Sequence, residues 1–129
     1  MKNIIPIILI LFLSCKEQTT EEYKDTIVFP EKDISFTKHM EPLFMQKCAI
    51  SYCHTSGSPY TALDLTTPNA WNNLMYYQYG TLVVAKDTNC VLLQRLKGIL
   101  PRMPKDRDPL NDNQLNGVKQ WILEGAKYN

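Results

Sequence analysis

The chain has 129 residues, 44% of them hydrophobic, with 14 basic side chains against 13 acidic ones. That length suits one small domain and excludes a TIM barrel, a two-domain dehydrogenase or a kinase. The near-balance of charge gives no sign of a generic nucleic-acid binder or a basic membrane-surface protein. Without the apolar N-terminal run the hydrophobic share falls to about 41%. A core that lean is helped by a covalent staple or a bound cofactor.

Met1, Lys2 and Asn3 open the chain, and Ile4 to Leu13 is apolar apart from Pro6. Ten residues are too few to span a bilayer of about 30 Å, but they fit the apolar region of an export signal. The run ends Phe12-Leu13-Ser14-Cys15, which resembles a bacterial lipobox with phenylalanine where leucine is usual. The resemblance implies a lipoprotein signal peptide over 1–14 and lipidation of Cys15. Residues 16–33 hold three lysines against six acidic residues, with few apolar groups. This composition predicts a flexible tether over 15–33, and a domain over 34–129.

Within the domain, Met40, Leu43 and Phe44 form a helical apolar face, with Pro42 in the first turn of a helix that starts near Glu41. Thr55 to Thr67 is turn-rich, and Pro68 to Tyr77 predicts a second helix with Trp71, Leu74 and Met75 on one face. Asn89 is placed to cap a third helix through Leu92, Leu93 and Leu96, which Gly98 ends. Pro101 to Pro109 reads as an extended loop. Asn111 and Gln114 form a capping box for a last helix carrying Leu115, Val118 and Ile122. Alternation of period two is confined to Thr81–Ala85. The fold class is all-α with long loops, and such loops need something to wrap around.

Cys48-Ala49-Ile50-Ser51-Tyr52-Cys53-His54 supplies a candidate. Two cysteines followed at once by histidine is the arrangement that attaches haem covalently: the thiols add to the vinyl groups and the histidine ligates the iron. Standard attachment has two residues between the cysteines, and here there are four. The same cysteines could instead pair as a disulfide. With Cys90 and His54 they also make up a three-cysteine, one-histidine zinc inventory, although neighbours such as Cys53 and His54 seldom both point at one small ion.

Further motifs follow in order: Glu41-Pro42-Leu43-Phe44 before the cysteines, then Leu63-Asp64-Leu65, Leu92-Leu93-Gln94-Arg95-Leu96, Met103-Pro104 and Trp121-Ile122-Leu123-Glu124-Gly125-Ala126. Together with the Cys48–His54 motif they resemble the single-haem c-type cytochromes, in the divergent form found on bacterial surface and periplasmic lipoproteins. The resemblance covers about residues 34–127. It implies a small helical domain wrapped around one covalent haem c, with Cys48 and Cys53 as thioether residues. His54 would be the proximal iron ligand and Met103 the distal one.

Met103 lies in a loop between Arg102 and Pro104, unlike Met40, Met45 and Met75, which fall on helical apolar faces and read as core. His39 reads as solvated. Trp71, Tyr76, Tyr77 and Tyr79 read as packing residues around the porphyrin, and Cys90 as a small half-buried residue near a helix start. Six-coordinate iron leaves no open position for substrate, so the expectation is an electron carrier rather than an enzyme. The alternatives are a zinc- or disulfide-stapled surface lipoprotein that binds another protein, and a small haem peroxidase with a displaceable distal ligand. Arg95, Lys97, Arg102, Lys105 and Arg107 outnumber Asp106 and Asp108, giving a positive rim suited to an acidic redox partner. The lipid places the domain at the bacterial cell envelope, periplasm-facing or on the outer-membrane surface.

Overall fold

The computed structural model describes residues 26–129. The signal over 1–14, Cys15 and most of the expected tether lie outside them. Four α-helices follow one another: α1 (Glu41–Lys47), α2 (Ala70–Tyr76), α3 (Val91–Lys97) and α4 (Asp112–Leu123). No strand occurs among the described residues, and Thr81–Ala85 is irregular. The amides of Leu82 and Val83 both donate to the carbonyl of Leu74, at 3.1 Å each. The all-α class therefore holds.

A single π-helical turn, Phe36–Met40, leads straight into α1. The Ser35 hydroxyl accepts from the Lys38 amide at its start. Pro42 sits in the first turn of α1, where its fixed φ suits the helix. Phe36, Met40, Leu43 and Phe44 are all buried, whereas Met45 is 43% exposed and is not a core residue. It follows Phe44 by one position, so it turns about 100° from the buried face.

In α3 the N-cap is Cys90 rather than Asn89. The Asn89 amide donates to Asp87 Oδ1, and its carbonyl accepts from Gln94 Nε2. It is thus committed to a turn one residue before the helix. Gly98 ends α3 in the left-handed conformation, at φ 77°, which a residue without Cβ adopts freely. The capping box of α4 forms as the sequence reads: Gln114 N–H donates to Asn111 Oδ1 at 2.9 Å, and Asn111 N–H to Gln114 Oε1 at 3.2 Å.

The packed domain starts earlier than residue 34. Ile27 and Phe29 are buried, and Phe29 lies directly over Gly117 of α4, where an added Cβ would come within 2.1 Å of its ring. Asn113 brackets the Phe29 backbone, its Oδ1 accepting at 2.8 Å and its Nδ2 donating at 3.0 Å. The Glu124 carboxylate accepts the amides of Asp33 and Ile34, both at 2.8 Å. The charge-rich composition hid two buried apolar residues, spaced i and i+2, of which Phe29 finds a glycine floor on a distant helix.

The C-terminal segment closes the other side. Asn129 accepts from the Phe36 and Thr37 amides and from the Ser35 hydroxyl. The indole N–H groups of Trp71 and Trp121 donate to the carbonyls of Ala126 and Lys127. Phe36, Met40, Phe44, Leu74, Leu93, Val118, Trp121 and Ile122 form the centre of the core.

Candidate functional site

The cysteine loop begins where α1 stops. The amides of Cys48 and Ala49 both donate to the Phe44 carbonyl, at 2.9 and 2.7 Å, and end the helix. Ser51 and Tyr52 then take left-handed backbone conformations, with φ of 46° and 63°. Neither is glycine, and such residues cost roughly 1–3 kcal/mol each unless their surroundings hold them. Here the Cys53 amide donates to Ile50 O at 2.7 Å, and the His54 amide reaches back to Cys48 O at 3.1 Å. The four intervening residues are thus folded into a closed loop, with Tyr52 73% exposed at its tip. The longer spacing still brings the His54 backbone next to Cys48.

Both cysteines are free thiols and half-buried, so they are not paired as a disulfide. Burial, helped by the neighbouring Cys53 and opposed by Lys47, pushes the Cys48 thiol up to about 12. It is therefore protonated at neutral pH. Cys90 is buried in the core at the start of α3, more deeply than half-buried. Among the described residues no three His, Cys, Asp or Glu side chains gather to hold a metal ion, so the zinc inventory is not assembled.

His54 is half-buried, and its Nδ1 lies 3.1 Å from the Leu63 carbonyl. A carbonyl can only accept, so Nδ1 carries the proton and the neutral ring keeps its lone pair on Nε2. Burial lowers the His54 pKa, against the opposing pull of that carbonyl, and favours the neutral ring. The Leu65 amide also donates to the His54 carbonyl at 2.9 Å. Segment 63–65 therefore grips both the ring and the backbone of His54. A metal-binding imidazole is held in this way, its second nitrogen engaged by a carbonyl. The donor set in this one loop, two free thiols and an imidazole with its Nε2 lone pair unprotonated, is of the chemical kind that takes a covalently attached haem.

Met103 is half-buried in the loop after α3. Its amide donates to the Arg95 carbonyl at 3.0 Å, which ties the loop to the last turn of that helix, and the following Pro104 is buried. Arg95 Nη1 donates to Pro101 O and Arg102 Nη2 to Arg107 O. Lys97, Arg102, Lys105 and Arg107 are exposed. Cys48, Cys53 and His54 thus share one loop, whereas Met103 is held by a different element.

Other expectations need correction. His39 is half-buried rather than solvated: its Nδ1 accepts the Ser35 amide at 3.0 Å, and its ring tilts against Phe29. Tyr76 and Tyr79 are 71% and 76% exposed, and Tyr76 meets the Trp71 ring edge-on. Trp71 is half-buried and bonded to the C-terminal segment, and Tyr77 meets Tyr79 edge-on. The sequence reading missed the Leu63 carbonyl as the partner of His54. Its signal is the Asp64-Leu65-Thr66 triplet, an Asx-turn pattern that fixes the local backbone. Cavities of about 360 and 480 Å³ lie along α4 and the N-terminal segment. Neither is lined by the cysteine loop or by Met103. No family model, curated protein or solved structure matches the chain.

Proposed function

We propose that this chain is a c-type cytochrome, an electron-transfer protein that carries one covalent haem on Cys48 and Cys53. His54 Nε2 is the proximal iron ligand and Met103 the distal one. The observation that carries this reading is the His54 Nδ1–H bond to the Leu63 carbonyl beside two free thiols. When bound, the haem supplies a one-electron couple, which methionine ligation biases toward the ferrous state. The chain's part is to hold the imidazole in one tautomer and to keep both thiols unpaired for thioether formation. Arg95, Lys97, Arg102, Lys105 and Arg107 form the docking rim for an acidic redox partner. Cys15 carries the lipid anchor at the cell envelope. Among the described residues no helix is long and apolar enough to cross a membrane.

Acid-acetone extraction of protein made in a host with haem-attachment machinery tests this. Haem colour stays with the polypeptide, because thioethers survive acid, and replacing Cys48 and Cys53 together by serine releases it. A colourless wild-type protein overturns the reading. Stoichiometric zinc in its place favours the stapled lipoprotein.

A further inference from the structure

Asp64 makes more polar contacts than a surface turn requires. Its Oδ1 accepts the Thr66 amide at 2.9 Å and the Thr66 hydroxyl at 2.6 Å, and its Oδ2 accepts Asn69 Nδ2 at 2.9 Å. Its main-chain carbonyl accepts Asn73 Nδ2, from α2, at 2.7 Å. Desolvation by burial raises the carboxyl pKa, but the Thr66 and Asn69 bonds outweigh it and leave Asp64 below its ordinary range. It therefore stays ionised, and ionised acceptors make the stronger bonds.

These contacts bear on His54 through the two peptide planes that meet at Asp64. The preceding plane ends in the Leu63 carbonyl, which holds the His54 ring. The following plane presents the Leu65 amide to the His54 carbonyl and the Asp64 carbonyl to Asn73. Thr61 Oγ1 accepts the Leu63 amide at 3.0 Å. A carbonyl aims well only if the peptide plane behind it cannot rotate, and Asp64 is the residue about which both planes would turn.

We infer that Asp64 is a positioning residue for His54: its four accepted hydrogen bonds fix the Leu63 carbonyl in the orientation that captures the Nδ1 proton. The role of His54 as an iron ligand rests on the function proposed above; the capture of its proton does not. Asp64 makes no hydrogen bond to the imidazole, and acts through the backbone.

The test uses the purified full chain in whatever state it is obtained. Where haem is bound, the readouts are solvent exchange of the His54 Nδ1 proton by NMR and the reduction potential. Where it is not, ring nitrogen shifts report the His54 tautomer. Wild type shows slow exchange or a single Nδ1–H tautomer. Asp64→Ala speeds exchange about tenfold or gives mixed tautomers, as loss of a part-buried hydrogen bond predicts. Asp64→Asn keeps the Oδ1 acceptor but loses the Oδ2 acceptor of Asn69, and falls between wild type and Asp64→Ala in exchange and tautomer. Asn73→Ala removes the main-chain hold without changing charge, and moves the same readout in the same direction should Asp64→Ala fail to fold. With haem bound, Asn73→Ala also raises the potential, because a loosened imidazole donates less to the iron. A folded Asp64→Ala or Asn73→Ala protein with wild-type exchange and tautomer overturns the inference and leaves the cytochrome reading standing. Protein without haem overturns the cytochrome reading, and the tautomer still decides the role of Asp64.

Discussion

The proton on Nδ1 of His54 decides which nitrogen keeps the lone pair, and the Leu63 carbonyl decides where that proton sits. Met103 has a looser hold, one amide bond to Arg95 and a proline behind it. In the proposed haem protein it is therefore the ligand most open to replacement. Met103→His keeps six-coordinate iron and lowers the reduction potential, since imidazole favours ferric iron more than a thioether does. Met103→Ala opens the distal position to carbon monoxide or added imidazole and abolishes the near-infrared band of ferric methionine ligation. An unchanged spectrum and potential in Met103→Ala would place Met103 outside the coordination sphere. Cys48, Cys53 and His54 are legible in the sequence because adjacency itself is the motif. The Leu63 carbonyl is not, because a backbone atom has no residue type to announce it.

Helix α4 shows why some packing can be read and some cannot. Its capping box is local, three residues apart, and forms as written. The bed it makes for Phe29 is not local: Asn113 lies 84 positions from the residue it brackets. Gly117 supplies the close approach. Gly117→Ala improves helix propensity by about 1 kcal/mol, but it drives a methyl into the Phe29 ring. Overpacking a tight contact costs about 1–3 kcal/mol, and an overlap this deep belongs at the upper end. The expected result is a net loss of stability, seen as a lower urea midpoint with helix content preserved at zero denaturant. A variant as stable as wild type would show that Phe29 can leave its place at little cost. Asn89 failed as a cap for the opposite reason, since the nearby Asp87 claimed its backbone first.

Across the whole molecule, Glu124 joins the N-terminal segment to the end of α4. Desolvation by burial raises its pKa, yet the bonds from Gln120, Ile34 and Asp33, with Lys127 nearby, outweigh that and hold the carboxyl below its ordinary range. A carboxyl depressed in the folded state stabilises the fold above its unfolded pKa. That contribution is lost as pH falls through the folded value. Stability should thus decline as pH falls below the ordinary glutamate range, and Glu124→Gln should flatten that decline in urea titrations. An equally steep decline in the variant would assign the acid sensitivity elsewhere, with Asp64 next.

The helical class and the order of the four helices were legible because each has its own start or stop residue. The seating of the segment around Phe29 and of the C-terminus was not, because Phe29 and Asn129 are held by partners far along the chain. One of those seatings has an optical side. The chain contains two tryptophans, and both spend their single indole donor on adjacent carbonyls of the C-terminal segment, Ala126 and Lys127. Tryptophan emission shifts to the red when water replaces such a partner. In the haem-free protein the tryptophan fluorescence is therefore an intrinsic gauge of whether the last few residues are seated. Trp71 reports it from outside the core centre and Trp121 from within it.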